Sequence, residues 1–146
     1  MNDVVDQIKS RRSVRKYKAE MPSKEVIEKI IEAGTYTATG MNRQSPIIIA
    51  VTNKEIRDRL SAANCKIGGW NEGFDPFYGA PAILIVLANK EMPTYIYDGS
   101  MVMGNLMLAA HAEGLGSCWI HRAKEEFETP EWKEWIKNNV ELANDL

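Results

Sequence analysis

Histidine and cysteine are both scarce in this sequence, two of each among 146 residues. The pairs are His111 with His121 and Cys65 with Cys118, far apart and outside any CxxC or Cys/His ligand spacing, so neither a zinc site nor a disulfide scaffold is indicated. HExxH, GxSxG and Walker A patterns are missing too, which leaves a hydrolase or transferase acting through its own side chains without its usual parts. No apolar run approaches the roughly 20 residues of a membrane span, and the start MNDVVDQIKS has no apolar leader core. A net charge of -2 and a pI near 5.7 remove the electrostatic case for nucleic acid or an anionic membrane as main partner. The expectation is a cytoplasmic protein that binds neither nucleic acid nor membrane.

What is present amounts to one ordinary domain, residues 1–146, with 45% apolar and 26% charged side chains. Val4, Val5 and Ile8 predict a short first helix. Ser23 as N-cap, with Val26, Ile27, Ile30 and Ile31 at helical spacing, predicts a second that closes at a left-handed Gly34. Ile47 to Val51 and Ala82 to Ala88 read as buried strands, separated by an Asn53-capped helix through Ile56, Leu60 and Ala63 and by an irregular stretch from Asn64 to Gly79. Asp98 to Glu113 reads as a long interior helix ending at Gly114, with Met101, Met103 and Met107 as core filler. Leu115 to His121 reads as a third strand, and Pro130 starts a last helix through Trp132, Trp135 and Ile136. Strands and helices mix without βαβ alternation. The expected class is α+β, a small sheet covered by helices.

The absence of self-contained side-chain chemistry fits an enzyme whose reactive atoms sit on a cofactor. Charge is uneven along the chain: Lys9, Arg11, Arg12, Arg15, Lys16 and Lys18 crowd one stretch, and acids gather after Lys124. Within the basic stretch, Arg11, Arg12 and Ser13 offer guanidinium forks and a hydroxyl, a donor set that grips phosphate, although such a run is also common as solvated surface. Trp70, Phe74, Phe77 and Tyr78 either roof a pocket or simply pack the long excursion. His111 reads as structural, and His121 either as a cap or as a proton donor.

Four stretches in order carry a resemblance: Arg11-Arg12-Ser13-Val14-Arg15, then Ala38-Thr39-Gly40-Met41-Asn42-Arg43-Gln44-Ser45-Pro46, then Tyr78-Gly79-Ala80-Pro81, then Gly114-Leu115-Gly116-Ser117-Cys118-Trp119-Ile120. Together they resemble the nitroreductase family. The resemblance implies an intertwined homodimer with FMN at each interface, NADH or NADPH as electron donor, and ping-pong hydride transfer through flavin N5 to a small acceptor such as a nitroaromatic or quinone. No catalytic side chain and no metal are implied. Carried over, Arg11, Arg12 and Ser13 hold the flavin phosphate. Arg15 approaches the pyrimidine edge, where a fixed positive charge favours the reduced ring. Ala38, Thr39, Gly40, Asn42 and Gln44 come from the partner subunit, and Trp119, Ile120 and His121 pass along the ring near N5. The long helix with Gly104, Asn105, Ala109 and Ala110 falls in the region that forms much of the dimer core.

One departure stands out. Members of the family usually continue past the last helix with a glycine-containing strand and a KPR-like segment that reaches the flavin phosphate, whereas this sequence ends in Val140-Glu141-Leu142-Ala143-Asn144-Asp145-Leu146. Loss of one such cationic contact weakens binding by about 1.5 to 3 kcal/mol. That leaves an alternative expectation, a flavin-binding or interaction protein with little turnover.

Overall fold

The computed structural model of the chain describes residues 3–140. Its elements are α1 (Asp3–Ser10), α2 (Lys24–Thr35), a 3-10 turn (Gly40–Asn42), β1 (Ile47–Val51), α3 (Lys54–Gly68), β2 (Ile83–Leu87), α4 (Tyr95–Ala112), α5 (Ala123–Glu126) and α6 (Pro130–Asn139). β1 and β2 pair antiparallel, with Ile47 opposite Leu87 and Val51 opposite Ile83. Successive side chains leave a strand on opposite faces, so each apolar run feeds two cores. Ile49, Val51, Ile83, Ile85 and Leu87 pack with Leu60 of α3, Phe77 and Trp132 of α6. Ile48, Leu84 and Val86 pack on the other side with Ile30 of α2 and Val102, Leu106 and Ala110 of α4. Both faces of the sheet are therefore covered, which is why neither strand alternates apolar with polar. The expected α+β arrangement, a small sheet under helices, is borne out.

The caps read from sequence are in place. The Ser23 side chain accepts from the Val26 amide at 3.2 Å, and the Asn53 side chain from the Ile56 amide at 3.0 Å. Gly114, at φ 80°, turns the chain at the end of α4 so that the Leu115 amide reaches the Ala110 carbonyl at 2.8 Å.

Five expectations are corrected. Leu115–His121 is not a strand: its sheet-like pairing is one isolated parallel bridge, Ser13 with Ser117, because the chain opposite it is the irregular basic run. Gly34 is not a left-handed terminus. It lies inside α2, where an added Cβ would sit 2.7 Å from a Leu106 methyl, so glycine is there to let α2 and α4 approach. α3 continues through Asn64 and Cys65 to Gly68, because long-range burial holds those residues in the helix. α4 begins at Tyr95, not Asp98. It is also not interior all round: Asp98, Val102, Leu106 and Ala110 are buried, but Ile96, Tyr97 and Met101 are 59%, 72% and 53% exposed, so Met101 is not core filler in this chain. α5 is a single turn of four residues with no periodic signal of its own in the sequence.

Candidate active site

The bridge between Ser13 and Ser117, reinforced by the Val14 amide donating to the Ser117 carbonyl at 2.9 Å, lays the basic run along the 115–121 stretch. Tyr17 pins the far end of that run, its hydroxyl donating to the Val14 carbonyl. Burial, with Cys118 nearby, pushes the Tyr17 pKa to about 12, so the group stays a donor. The result is a cavity of about 550 Å³ lined by Arg15, Tyr78, Cys118, Trp119, Ile120, His121 and Arg122, with Ile67 and Glu125 completing it. Arg15 and the Trp119–His121 stretch, far apart in sequence, thus share one site.

Tyr78 reaches this cavity because the excursion after α3 is tied down at Asp75. The carboxylate of Asp75 accepts from Arg57, from the Ser61 hydroxyl at 2.7 Å, and from the Phe77 and Gly79 amides at 2.9 and 2.8 Å. Burial alone would raise its pKa, but these donors together hold it below the usual carboxylate value. Of the aromatics singled out in the excursion, Phe77 is buried in the core. Trp70 and Phe74 lie against each other, ring centroids 4.9 Å apart, near 40% exposed. Packing and pocket roles are therefore divided among them.

Among the described residues the His121 side chain makes no capping hydrogen bond, although its carbonyl accepts from the Lys124 amide at 3.0 Å at the start of α5. Its ring lines the cavity 6.0 Å from the Trp119 ring. His111 is structural, as expected: its Nε2 meets the Ser10 hydroxyl at 2.8 Å and joins α1 to α4.

Arg11 and Arg12 behave differently from each other. Arg12 Nη1 donates to the Lys9 and Arg11 carbonyls at 2.9 and 2.8 Å, while Arg11 Nη1 is buried without a hydrogen-bond partner among the described residues. A buried, unpartnered guanidinium nitrogen is costly unless an anion completes it, so this atom fits an anionic ligand. Ser13 is exposed beside it in sequence.

The 38–44 loop is not brought to the cavity. Thr39 and Gln44 line a separate hollow of about 300 Å³ beside α2 and β1. Gln44 is spent locally: its Oε1 accepts from the Thr39 hydroxyl at 2.7 Å, and its Nε2 faces the Thr35 carbonyl at 3.5 Å. Ala38 and Asn42 are exposed. The backbone here is strained, because Met41, Asn42 and Gln44 all hold φ near 50°, as does Tyr78 at the cavity. The loop is anchored to α4, where the buried Asp98 carboxylate accepts from the Gly40 amide at 2.9 Å and from the Thr94 hydroxyl at 2.8 Å. A Cβ at Gly40 would fall 2.2 Å from that hydroxyl oxygen, so the close approach requires glycine.

Asn64 and Glu126 lie outside the four sequence motifs, yet they form a buried pair. Asn64 is fully buried between Glu126 and Arg122: its Nδ2 donates to Glu126 Oε1 and its Oδ1 accepts from Arg122 Nη1, both at 3.1 Å. Nothing in a run of glutamates marks Glu126 apart from its neighbours. The contacts that do so span 62 and 58 residues.

The nitroreductase family model matches residues 8–67 and 70–135. The chain belongs to the nitroreductase family. Among its relatives, a Methanothermobacter thermautotrophicus protein named as an NADH dehydrogenase/NAD(P)H nitroreductase is 29% identical over 126 residues, which are 80% of this chain and 60% of that protein. The chain therefore spans well under the whole length of that relative. Among solved structures, a Bacteroides fragilis nitroreductase with bound FMN superposes with a TM-score of 0.84 at 28% identity, covering 94% of this chain and 80% of that one. A Desulfitobacterium hafniense nitroreductase with bound FMN gives 0.84 at 27% identity, covering 96% and 81%. Among the described residues, no helix is long and apolar enough to cross a membrane.

Proposed function

We propose that two copies of this chain pair to bind FMN and pass electrons from NADH or NADPH to a small acceptor such as a nitroaromatic or quinone, donor and acceptor using one cavity in turn. The observation that carries this reading is the tether between the 38–44 loop and α4. Asp98 fixes the loop to the same helix that leaves Ile96, Tyr97 and Met101 exposed. Tyr97, Met101 and Gly104 share one face of α4, and large apolar side chains left exposed together on one helix face suit an interface. A second copy seated on that face carries its loop with it, and the two halves of the site meet across the interface.

Each group of residues then has a task. Arg11, with its buried unpartnered Nη1, and Arg12 and Ser13 beside it would hold the phosphate of FMN. Arg15 would set a fixed positive charge at the pyrimidine edge. Trp119, Ile120 and His121 would lie along the ring and keep water from it, and the partner's copies of Ala38, Thr39, Gly40, Asn42 and Gln44 would close the far side. FMN, when bound, supplies the hydride chemistry at N5, which is why no side chain of this protein need act as nucleophile or base.

The pairing claim is open to a direct test. Met101→Glu puts a charge on an exposed position of the single chain, so folding is little affected, but a charge buried in the proposed interface disfavours pairing. Sedimentation velocity is expected to show a monomer, and FMN fluorescence titration a dissociation constant raised roughly tenfold or more. A Met101→Glu dimer, or a monomer that holds FMN as tightly as the parent chain, would contradict the reading.

A further inference from the structure

The cavity has two arginines, Arg15 and Arg122. Arg15 is assigned to the flavin edge, whereas Arg122 lines the same cavity without a role. Arg122 is unusually well braced. One Nη1 hydrogen bond holds it to Asn64 at 3.1 Å, and Asn64 is itself fully buried and held from behind by Glu126. Its guanidinium plane carbon lies 4.3 Å from the Trp70 ring centroid, and that ring is seated on the Gly68 backbone and against Phe74. An arginine fixed at two points has already lost the rotamer freedom that a free one would surrender on binding a ligand.

The bracing groups are an amide and an indole, neither of which cancels its charge. Among the described residues Arg122 has no carboxylate within ion-pair distance. Glu125 also lines the cavity but does not pair with it. The guanidinium has N–H donors beyond the one Asn64 takes, and Arg122 shares the cavity lining with Arg15 and His121.

We infer that Arg122 is a specificity-determining residue that reads an oxyanion, a carboxylate or a phosphate, on the substrate entering this cavity. The inference rests on the proposed reductase reading for the identity of that substrate, but the anion site itself does not. The oxyanion belongs either to the acceptor or to the nicotinamide donor, and the two sources separate experimentally. A bidentate contact from a preorganised guanidinium is the natural way to hold either one.

The test compares the parent protein with Arg122→Gln, which keeps a donor for Asn64, and Arg122→Lys, which keeps the charge without the fork. Calorimetry without any electron donor measures binding of 4-nitrobenzoate against 4-nitrobenzamide, which differ in charge and little in shape. The parent is expected to prefer the carboxylate, Arg122→Gln to lose that preference by about tenfold or more, and Arg122→Lys to retain part of it. Steady-state rates then place the oxyanion. A rise in KM confined to 4-nitrobenzoate assigns it to the acceptor, and a rise confined to NADPH relative to NADH assigns it to the donor. Equal binding of the two nitro compounds by the parent, together with unchanged NADPH and NADH constants in Arg122→Gln, overturns the inference. A protein that binds the carboxylate selectively but reduces nothing leaves the anion site standing and removes the reductase reading instead.

Discussion

Replacing Glu126 by glutamine is expected to make the protein more stable above neutral pH and to leave its stability near pH 4.5 almost unchanged. Glu126 is 1% exposed, one of its oxygens is bonded to Asn64, and the other has no hydrogen-bond partner among the described residues. Burial pushes its pKa from 4.5 up to about 7, against the smaller opposing effect of the Asn64 hydrogen bond. The unfolded chain releases this proton near pH 4.5 while the folded chain keeps it until about pH 7. Between those values the folded state binds more protons, so stability falls as pH rises, and it levels off above pH 7. The total loss is about 3 kcal/mol, from the size of the shift at about 1.4 kcal/mol per pH unit. Glutamine keeps the acceptor for Asn64 and cannot ionise. Urea unfolding of both proteins at pH 5 and pH 8 should therefore show the difference opening only at the higher pH, and parallel pH profiles would refute the assignment.

Arg11→Ala and Arg15→Ala are expected to fail in different ways. Arg11 has a buried nitrogen awaiting a partner, so its loss should raise the FMN dissociation constant by about tenfold to a hundredfold, the worth of a hydrogen bond to a charged group, and slow the reduction of retained flavin little. Arg15 lines the cavity itself. Its loss should slow reduction of bound flavin by roughly a hundredfold, the usual effect of removing one fixed donor from developing negative charge, with a smaller change in FMN affinity. Fluorescence titration and anaerobic stopped-flow spectroscopy read the two effects separately. Equal effects of the two substitutions on both quantities would sink this division of labour.

Local signals in the sequence carried most of the secondary structure. Ser23 and Asn53 announced their helices because a capping side chain acts within three residues, and the apolar runs at Ile47 to Val51 and in β2 announced strands because both sheet faces are covered. What escaped was set by distant contacts. Leu115 to His121 has strand-like composition, but nothing across from it offers more than one bridge. Asn64 looked like the start of a loop, and only its bonds to Glu126 and Arg122 explain why α3 continues past it. Gly34 has the sequence position of a helix terminus and the structural role of a contact point with Leu106.

The candidate site was legible as four motifs but not as a shape. Arg15, Trp119, Ile120 and His121 do line one cavity. Thr39 and Gln44 line another hollow in the same chain, where Gln44 satisfies its own loop. Arg122 adjoins the last motif, yet its importance is visible only through Asn64 and Trp70.

The most direct test of the central claim is the visible spectrum of the purified protein with FMN, recorded anaerobically before and after NADH and then NADPH. The account predicts protein-bound flavin bands that bleach on addition of a nicotinamide and return when a nitroaromatic or quinone is supplied. Flavin that stays free in solution, or bound flavin that neither nicotinamide bleaches, would contradict it.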